Sequence, residues 1–287
     1  MDFSKIVSAL SKTTESSYEK ERAEYFSLTK DKAGNASAVI RFLPMVEGDD
    51  LPFVKMYTHA FKGPTGKWYI ENCRSTIGET DPVNEGNAIL WAGTDKDKDV
   101  ARQRKRKTKY ISNVYVVSDP SNRENEGKVL KFSYGQKIFD MIKNKMDPQF
   151  EDEKPVNVFD LYEGANFKLR MRQVEGYPNY DQSVFGDVGP IADSDEAILK
   201  IMNSAEPLSP LVAPDKFKSY DDLKKKFESV INPTGAVPAR ASVTDDDEPV
   251  KESKPTKVVE QKQPKVSKTE STEESEEDLE EYFKSIS

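Results

Sequence analysis

Cysteine and histidine each occur once in this 287-residue chain, as Cys73 and His59, so no disulfide can close within one copy. Two such residues are too few for a Cys/His metal tetrad or for the usual nucleophile–base partnerships, which removes most hydrolase chemistries. Long apolar runs are missing as well. The uncharged stretch at 111–117 falls far short of the ~20 residues that cross a bilayer, and the opening MDFSKIVSAL lacks a signal-peptide pattern. A soluble intracellular protein with no membrane partner is expected. Acidic residues are absent between Ala101 and Ser118, and aromatic residues between Pro233 and Lys268.

The formal charge of −8 would argue against nucleic acid, but it is unevenly spread. Residues 269–287 hold eight acidic residues and one lysine, net −7, which leaves −1 for residues 1–268. The body is nearly neutral. Residues 233–268 are Pro, Lys, Glu, Thr and Val, too polar to offset their ordering entropy, and read as a flexible linker to a disordered acidic tail at 269–287. In that tail Leu279, Tyr282 and Phe283 stand among Asp278, Glu280 and Glu281, a pattern suited to docking basic grooves on partner proteins or on the chain itself.

Residues 1–22 carry Ile6, Val7 and Leu10 at the spacing of a short amphipathic helix, marginal on its own. From Ala36 the period changes to two: SAVIRFLP, LPFVKMYTHAF and GKWYIENC read as a meander. KYISNVYVVSD and GKVLKFSYG are further strands, KIFDMIKNK a helix, and VNVFDLY and ANFKLRMRQV strands again. Residues 74–100 show no sustained period and read as an excursion of loops and short elements. Ser219-Tyr220-Asp221-Asp222 has capping-box spacing ahead of Leu223, Phe227 and Val230, predicting a closing helix. The fold class expected is mainly β with α. About six strands around one clear helix suit an elaborated five-stranded OB-fold barrel core over residues 23–232.

The densest local signal is Arg102, Arg104, Lys105, Arg106, Lys107 and Lys109, six cations within eight residues, with Thr108 among them and Tyr110 directly after. Such density attracts phosphate, although a solvated charged loop has the same composition. Lys168, Arg170 and Arg172 alternate with Phe167, Leu169 and Met171, which puts three cations on one strand face. Tyr177 and Tyr180 follow nearby, while Lys131, Phe132 and Trp68 lie on other strands. Rings that stack bases, interleaved with cations, track a single strand without reading its sequence, and duplex bases are already stacked.

These segments carry a specific resemblance. AVIRFLP, GKWYIENC, KRKTKY, ENEGKV, EGANF and VEGYPNYD follow one another as in the helix-destabilising single-stranded DNA-binding proteins of tailed-phage replisomes. The resemblance spans about residues 33–232. It implies an OB-fold core, cooperative single-strand binding that protects replication, recombination and repair intermediates in the host cytoplasm, and replisome and recombination partners on the tail. It also implies that Lys105, Arg106, Lys107, Thr108 and Tyr110 contact DNA, with Tyr177, Tyr180, Phe132 and Trp68 as groove aromatics. Where the family continues with Ser and an aromatic pair, this chain has Lys109 and Ile111.

Two features depart from the family pattern. The family's zinc is held by one His and three Cys, including a Cys-x-x-Cys pair; His59 and Cys73 match, but Asp-Pro-Val-Asn occupies positions 81–84. Asp81 and Asn84 are poor substitutes for two thiolates, so neither zinc nor any other cofactor is expected. Packing of Ile77, Val83, Ile89, Leu90 and Trp91 is expected to replace the metal's stabilisation. The family's basic N-terminal arm is also missing, which points to apolar self-association between neighbouring copies through Ile6, Val7 and Leu10.

Two other functions use the same composition. A metal-dependent nuclease needs clustered carboxylates, and Asp147, Glu151, Asp152 and Glu153 are the nearest to the basic strand, in a loop framed by Pro148 and Pro155. An acidic-tailed scaffold would make the basic groove incidental.

Overall fold

The computed structural model describes residues 22–150 and 152–232. Ile6, Val7 and Leu10, the linker at 233–268, and the tail residues Asp278, Leu279, Glu280, Glu281, Tyr282 and Phe283 lie outside the described residues.

The period-two segments form one nine-stranded sheet. Its strands are β1 (Tyr25–Phe26), β2 (Ala36–Phe42), β3 (Val54–Lys62), β4 (Trp68–Asn72), β5 (Lys107–Ser118), β6 (Val129–Tyr134), β7 (Ala165–Val174), β8 (Tyr177–Asn179) and β9 (Val184–Val188). Pairing runs β1-β6-β5-β2-β7-β8, with β3 on β5, β4 on β3 and β9 on β7. β5 is the hub, because its 12 residues are long enough for three partners. It sets Val54 against Ile111, Tyr110 against Tyr134, and Val114 against Phe42.

This is a sheet-rich fold with helices, and it corrects the expectation of a closed barrel. β1 is two residues long and pairs only with β6, in parallel, while the outer edge of β7 is taken by β8 and β9. No strand links β1 to the β7 side among the described residues.

Alternation fills the core from one face. Ala38, Ile40 and Phe42 of β2 and Phe167, Leu169 and Met171 of β7 are buried. Phe42 sits among Phe132, Tyr134, Phe159, Phe167 and Phe185 at ring separations of 5.6 to 6.5 Å. Each such ring contributes on the order of 1.5–3 kcal/mol by burial. Helix α3 (Gln136–Met146) adds Ile138 and Ile142 at the expected spacing.

The VNVFDLY segment is not a strand. Asn157 Oδ1 accepts from the Phe159 amide, and Asp160 Oδ1 accepts from those of Tyr162 and Glu163. These side-chain turns take up the amides that a ladder would need.

The excursion is more ordered than its sequence promised. Asp81 caps helix α1 (Pro82–Trp91), with Pro82 at its first position, and Thr94 with Asp97 forms a capping box on α2 (Asp95–Gln103). Its packing also differs from expectation. Val83 is buried, but Ile89 is 76% exposed and Trp91 44%. The apolar cover comes from the closing helix α5 (Tyr220–Ile231), capped by Ser219 as anticipated. Leu223, Phe227 and Val230 of α5 pack on Phe61, Tyr69 and Val83. A further helix, α4 (Asp195–Met202), sets Ile198 and Ile201 against Leu43. Among the described residues, no helix is long and apolar enough to cross a membrane.

Candidate nucleic-acid interface

β3 and β5 pair so that Lys55 faces Tyr110 and Tyr57 faces Thr108, while β6 brings Tyr134 opposite Tyr110. Directly paired residues share a face. One row across three strands therefore reads Lys55, Tyr110, Tyr134. The Arg106 guanidinium lies 4.1 Å from the Tyr57 ring centre, and Lys55 Nζ lies 5.3 Å from it. Both cations are exposed and Tyr57 is half-buried, so a ring and two charges are presented together at the edge where the β3–β5 pairing ends.

Lys55 and Tyr57 were missed from the sequence, although the signal was present. Phe53, Lys55 and Tyr57 alternate at a period of two, which puts aromatic, cation and aromatic on one face.

Tyr110 supports this edge from the same face. It is only 3% exposed, stacked on Phe139 at 3.9 Å, and its hydroxyl donates to Gln136 Oε1 at 3.0 Å. Burial raises its pKa, keeping the hydroxyl protonated as a donor.

The other sequence candidates divide by environment. Lys105 and Arg106 are exposed, and Lys107, Thr108 and Lys109 half-buried. Lys107 and Lys109 leave β5 on the face opposite Thr108 and Tyr110. Arg102 pairs with Asp99 and lies over the Trp91 ring at 5.6 Å. Arg104 turns inward between Phe61 and Phe227, and burial lowers its pKa. Lys131 is 8% exposed and bonded to Glu24 and Glu206 at 2.8 and 2.9 Å. Burial alone would lower its pKa, but those two carboxylates raise it. Phe132 belongs to the core, and Tyr180 packs beside it with its hydroxyl on Met171 Sδ at 3.6 Å. Trp68 is half-buried, with Lys62 Nζ 5.9 Å from its ring.

Lys168, Arg170 and Arg172 do form an exposed row, on the face of β7 opposite Phe167, Leu169 and Met171. Tyr177, 54% exposed, pairs with Val174 and extends that row. A cavity of about 270 Å³ opens beside Lys168 and Arg170, against Ser37 and Pro120. Because Tyr110 points to the core side, this row and the Tyr57 edge lie on opposite faces of the sheet. Strand parity thus divides the residues expected in the basic groove between these two faces.

His59, Cys73 and Asp81 form a buried group whose ligand atoms all lie within 4.8 Å of one another. His59 Nδ1–H donates to the Arg104 carbonyl at 3.0 Å, and its Nε2 faces Asp81 Oδ1 at 3.4 Å. Asp81 is already occupied: Oδ1 accepts from the amides of Val83 and Asn84, and Oδ2 from that of Arg74. Asn84 points its NH2 at Cys73 Sγ and Ser75 Oγ, so it acts as a donor and not as a ligand. Structural zinc takes four lone-pair N or S donors, and this set does not fit it.

Burial would depress the His59 pKa, but the hydrogen bonds and charges of Asp81 and Cys73 push it up to about 9, while Asp81 stays below its usual range. A raised histidine pKa contributes stability that is fully present below pH 6.5 and is lost as pH climbs to about 9. The urea midpoint should therefore fall between those values, and His59→Gln should flatten the decline. Parallel profiles for the two proteins would exclude this assignment.

Residues 34–231 match the family model described as gp32 DNA binding protein like. The chain belongs to that family. Within it, the chain is 42% identical over 211 residues to the single-stranded DNA-binding protein of Enterobacteria phage T2, covering 71% of this chain and 68% of the relative. The same identity and length relate it to the single-stranded DNA-binding protein of Enterobacteria phage T4, of which 69% is covered. A further relative, the single-stranded DNA-binding protein of Escherichia phage SV14, is 54% identical over 54 residues, covering 19% of this chain and 47% of the relative. The gp32-like match takes in both basic surfaces and the His59 group.

Proposed function

We infer that this chain binds single-stranded DNA without making or breaking covalent bonds. Membership of the gp32-like family supports the binding, and one observation carries the mechanism: Arg106 and Lys55 lie over the half-buried Tyr57 ring at the edge where the β3–β5 pairing ends. A strand's phosphates draw Arg106 and Lys55 off the ring and a base stacks in their place, and an unstacked strand meets both needs without regard to sequence. The Lys168, Arg170, Arg172 and Tyr177 row is a second contact surface on this reading. The sheet around β5 serves as an elaborated OB-type core, and the protein works in the host cytoplasm on replication, recombination and repair intermediates.

Binding is cooperative through apolar contacts of Ile6, Val7 and Leu10 between neighbouring copies. The acidic tail recruits replisome and recombination proteins and competes with DNA for the basic surfaces. Fluorescence quenching by oligo-dT, reversed by salt, tests the central reading; absence of saturable quenching at low salt would end it. Deleting residues 269–287 should tighten binding at low salt and matter little at high salt, where screening is strong. Equal affinity of the two forms at low salt would remove the tail's competitive role.

A further inference from the structure

We propose that the His59–Asp81 pair, with Cys73 and Asn84, is a metal-free clasp that fixes the start of the basic segment through the carbonyl of Arg104. The proposal rests in part on the DNA-binding reading above, since it concerns how that segment is held.

Four separate pieces of chain meet at this point: β3 at His59, the turn after β4 at Cys73, the start of α1 at Asp81 and Asn84, and the end of α2 at Arg104. A structural metal joins such pieces by taking one donor from each. Here the joining is done by polar groups of the chain. Asp81 receives three backbone amides and faces His59, and Asn84 ties Cys73 to Ser75.

His59 then passes the connection outward. Its Nδ1–H and the Nδ2 of Asn87 both donate to the Arg104 carbonyl, at 3.0 and 3.1 Å. That carbonyl is two residues before Arg106, whose guanidinium covers Tyr57. The Arg104 side chain is itself held between Phe61 and Phe227, so main chain and side chain are both anchored where the exposed segment begins. A segment anchored this way spends less entropy on ordering when it meets a strand. His59, Asp81 and Asn87 are accordingly positioning residues.

The test uses the full chain in three arms. Purified wild type should hold well under one zinc per chain after desalting, and its melting temperature should not move with EDTA; one retained zinc whose removal lowers the melting temperature would overturn the proposal. The double variant Asp81→Cys/Asn84→Cys should bind one Co²⁺ with thiolate charge-transfer absorbance and melt in a chelator-sensitive way. A folded double variant that takes up no cobalt would show that the four positions do not converge as described, and would also count against it.

Asp81→Asn keeps a capping oxygen but removes the charge. It should melt lower by about 5 °C. At a temperature where it is fully folded, it should bind oligo-dT roughly fivefold more weakly with an unchanged salt slope. Unaltered affinity in the folded variant would refute the positioning role. If wild type itself fails to bind oligo-dT, the proposed function falls, and the zinc and melting measurements still decide whether the clasp is metal-free.

Discussion

Tyr57→Ala should weaken oligo-dT binding by roughly 5- to 150-fold, the equivalent of the ~1–3 kcal/mol that one base–aromatic stack contributes, and should leave the salt dependence unchanged. Arg106→Ala should behave differently. Every phosphate that is no longer neutralised lowers the slope of log affinity against log salt by about 0.7, so Arg106→Ala should reduce it by that amount and the double variant with Lys55→Ala by about twice as much. The contrast follows from the geometry: Tyr57 offers an uncharged ring, and the Arg106 and Lys55 charges lie over it at 4.1 and 5.3 Å, ready to pass to a strand's phosphates. Lys131→Ala serves as the control, because Glu24 and Glu206 already hold that ammonium and leave it no charge to offer a phosphate. Should Lys131→Ala change the slope as much as Arg106→Ala, the assignment of the edge would be wrong. Titrations across a range of salt concentrations, with each variant shown to be folded, measure all of this.

Sequence pattern served well where one face is buried and the other wet. β7 was legible because buried Phe167, Leu169 and Met171 alternate with exposed Lys168, Arg170 and Arg172, and β2 because Ala38, Ile40 and Phe42 share one buried face. Ser219 and the apolar spacing behind it predicted α5 for a similar reason. The misses have specific causes. Helix α1 was obscured because its apolar residues do not all face inward: Ile89 and Trp91 are exposed, which erases the helical period. The Asx turns at Asn157 and Asp160 defeated a segment whose composition favours a strand.

The candidate site was less legible than the fold, because exposure decides which cations and rings are usable and composition does not report exposure. Lys131 looks like Lys168 in sequence, yet one is neutralised by two carboxylates and the other lies in the open row on β7. Phe132 and Tyr180 similarly look like stacking residues and pack in or against the core. Arg104, central in the basic run, is spent on Phe61 and Phe227. What remains exposed is sorted by strand parity, with Arg106 and Tyr57 on one side and the β7 row on the other. The body's near-neutral charge therefore conceals two surfaces that the fold makes locally basic.

A buried charge supports this arrangement, and removing it should have the largest effect on stability. Arg41 is 1% exposed, lying between Ile40 and Phe42 in β2 with its side chain on the face away from the aromatic core. Nη2 donates to the carbonyls of Asp160 and Gly189 at 2.9 and 2.7 Å, and Nη1 to Asn166 Oδ1 at 3.4 Å. Burial lowers its pKa, with the charge of Asp160 partly countering. Close packing around it is evident at Gly164, where an added Cβ would lie 2.8 Å from Nη2. Arg41→Met removes the cost of burying the charge but strands two carbonyl oxygens, each worth about 1–3 kcal/mol when left unpaired. The net expectation is a loss of about 2–3 kcal/mol, or roughly 5–10 °C in melting temperature. Arg41→Lys should not rescue it, since one ammonium on a flexible stem cannot replace a planar fork that spans two loops. Oligo-dT affinity of the folded Met variant should stay near wild type, because Tyr57 lies on β3 and Arg106 just before β5, and neither is among the groups that Arg41 bonds. A Met variant as stable as wild type would mean that the desolvation cost outweighs the hydrogen bonds.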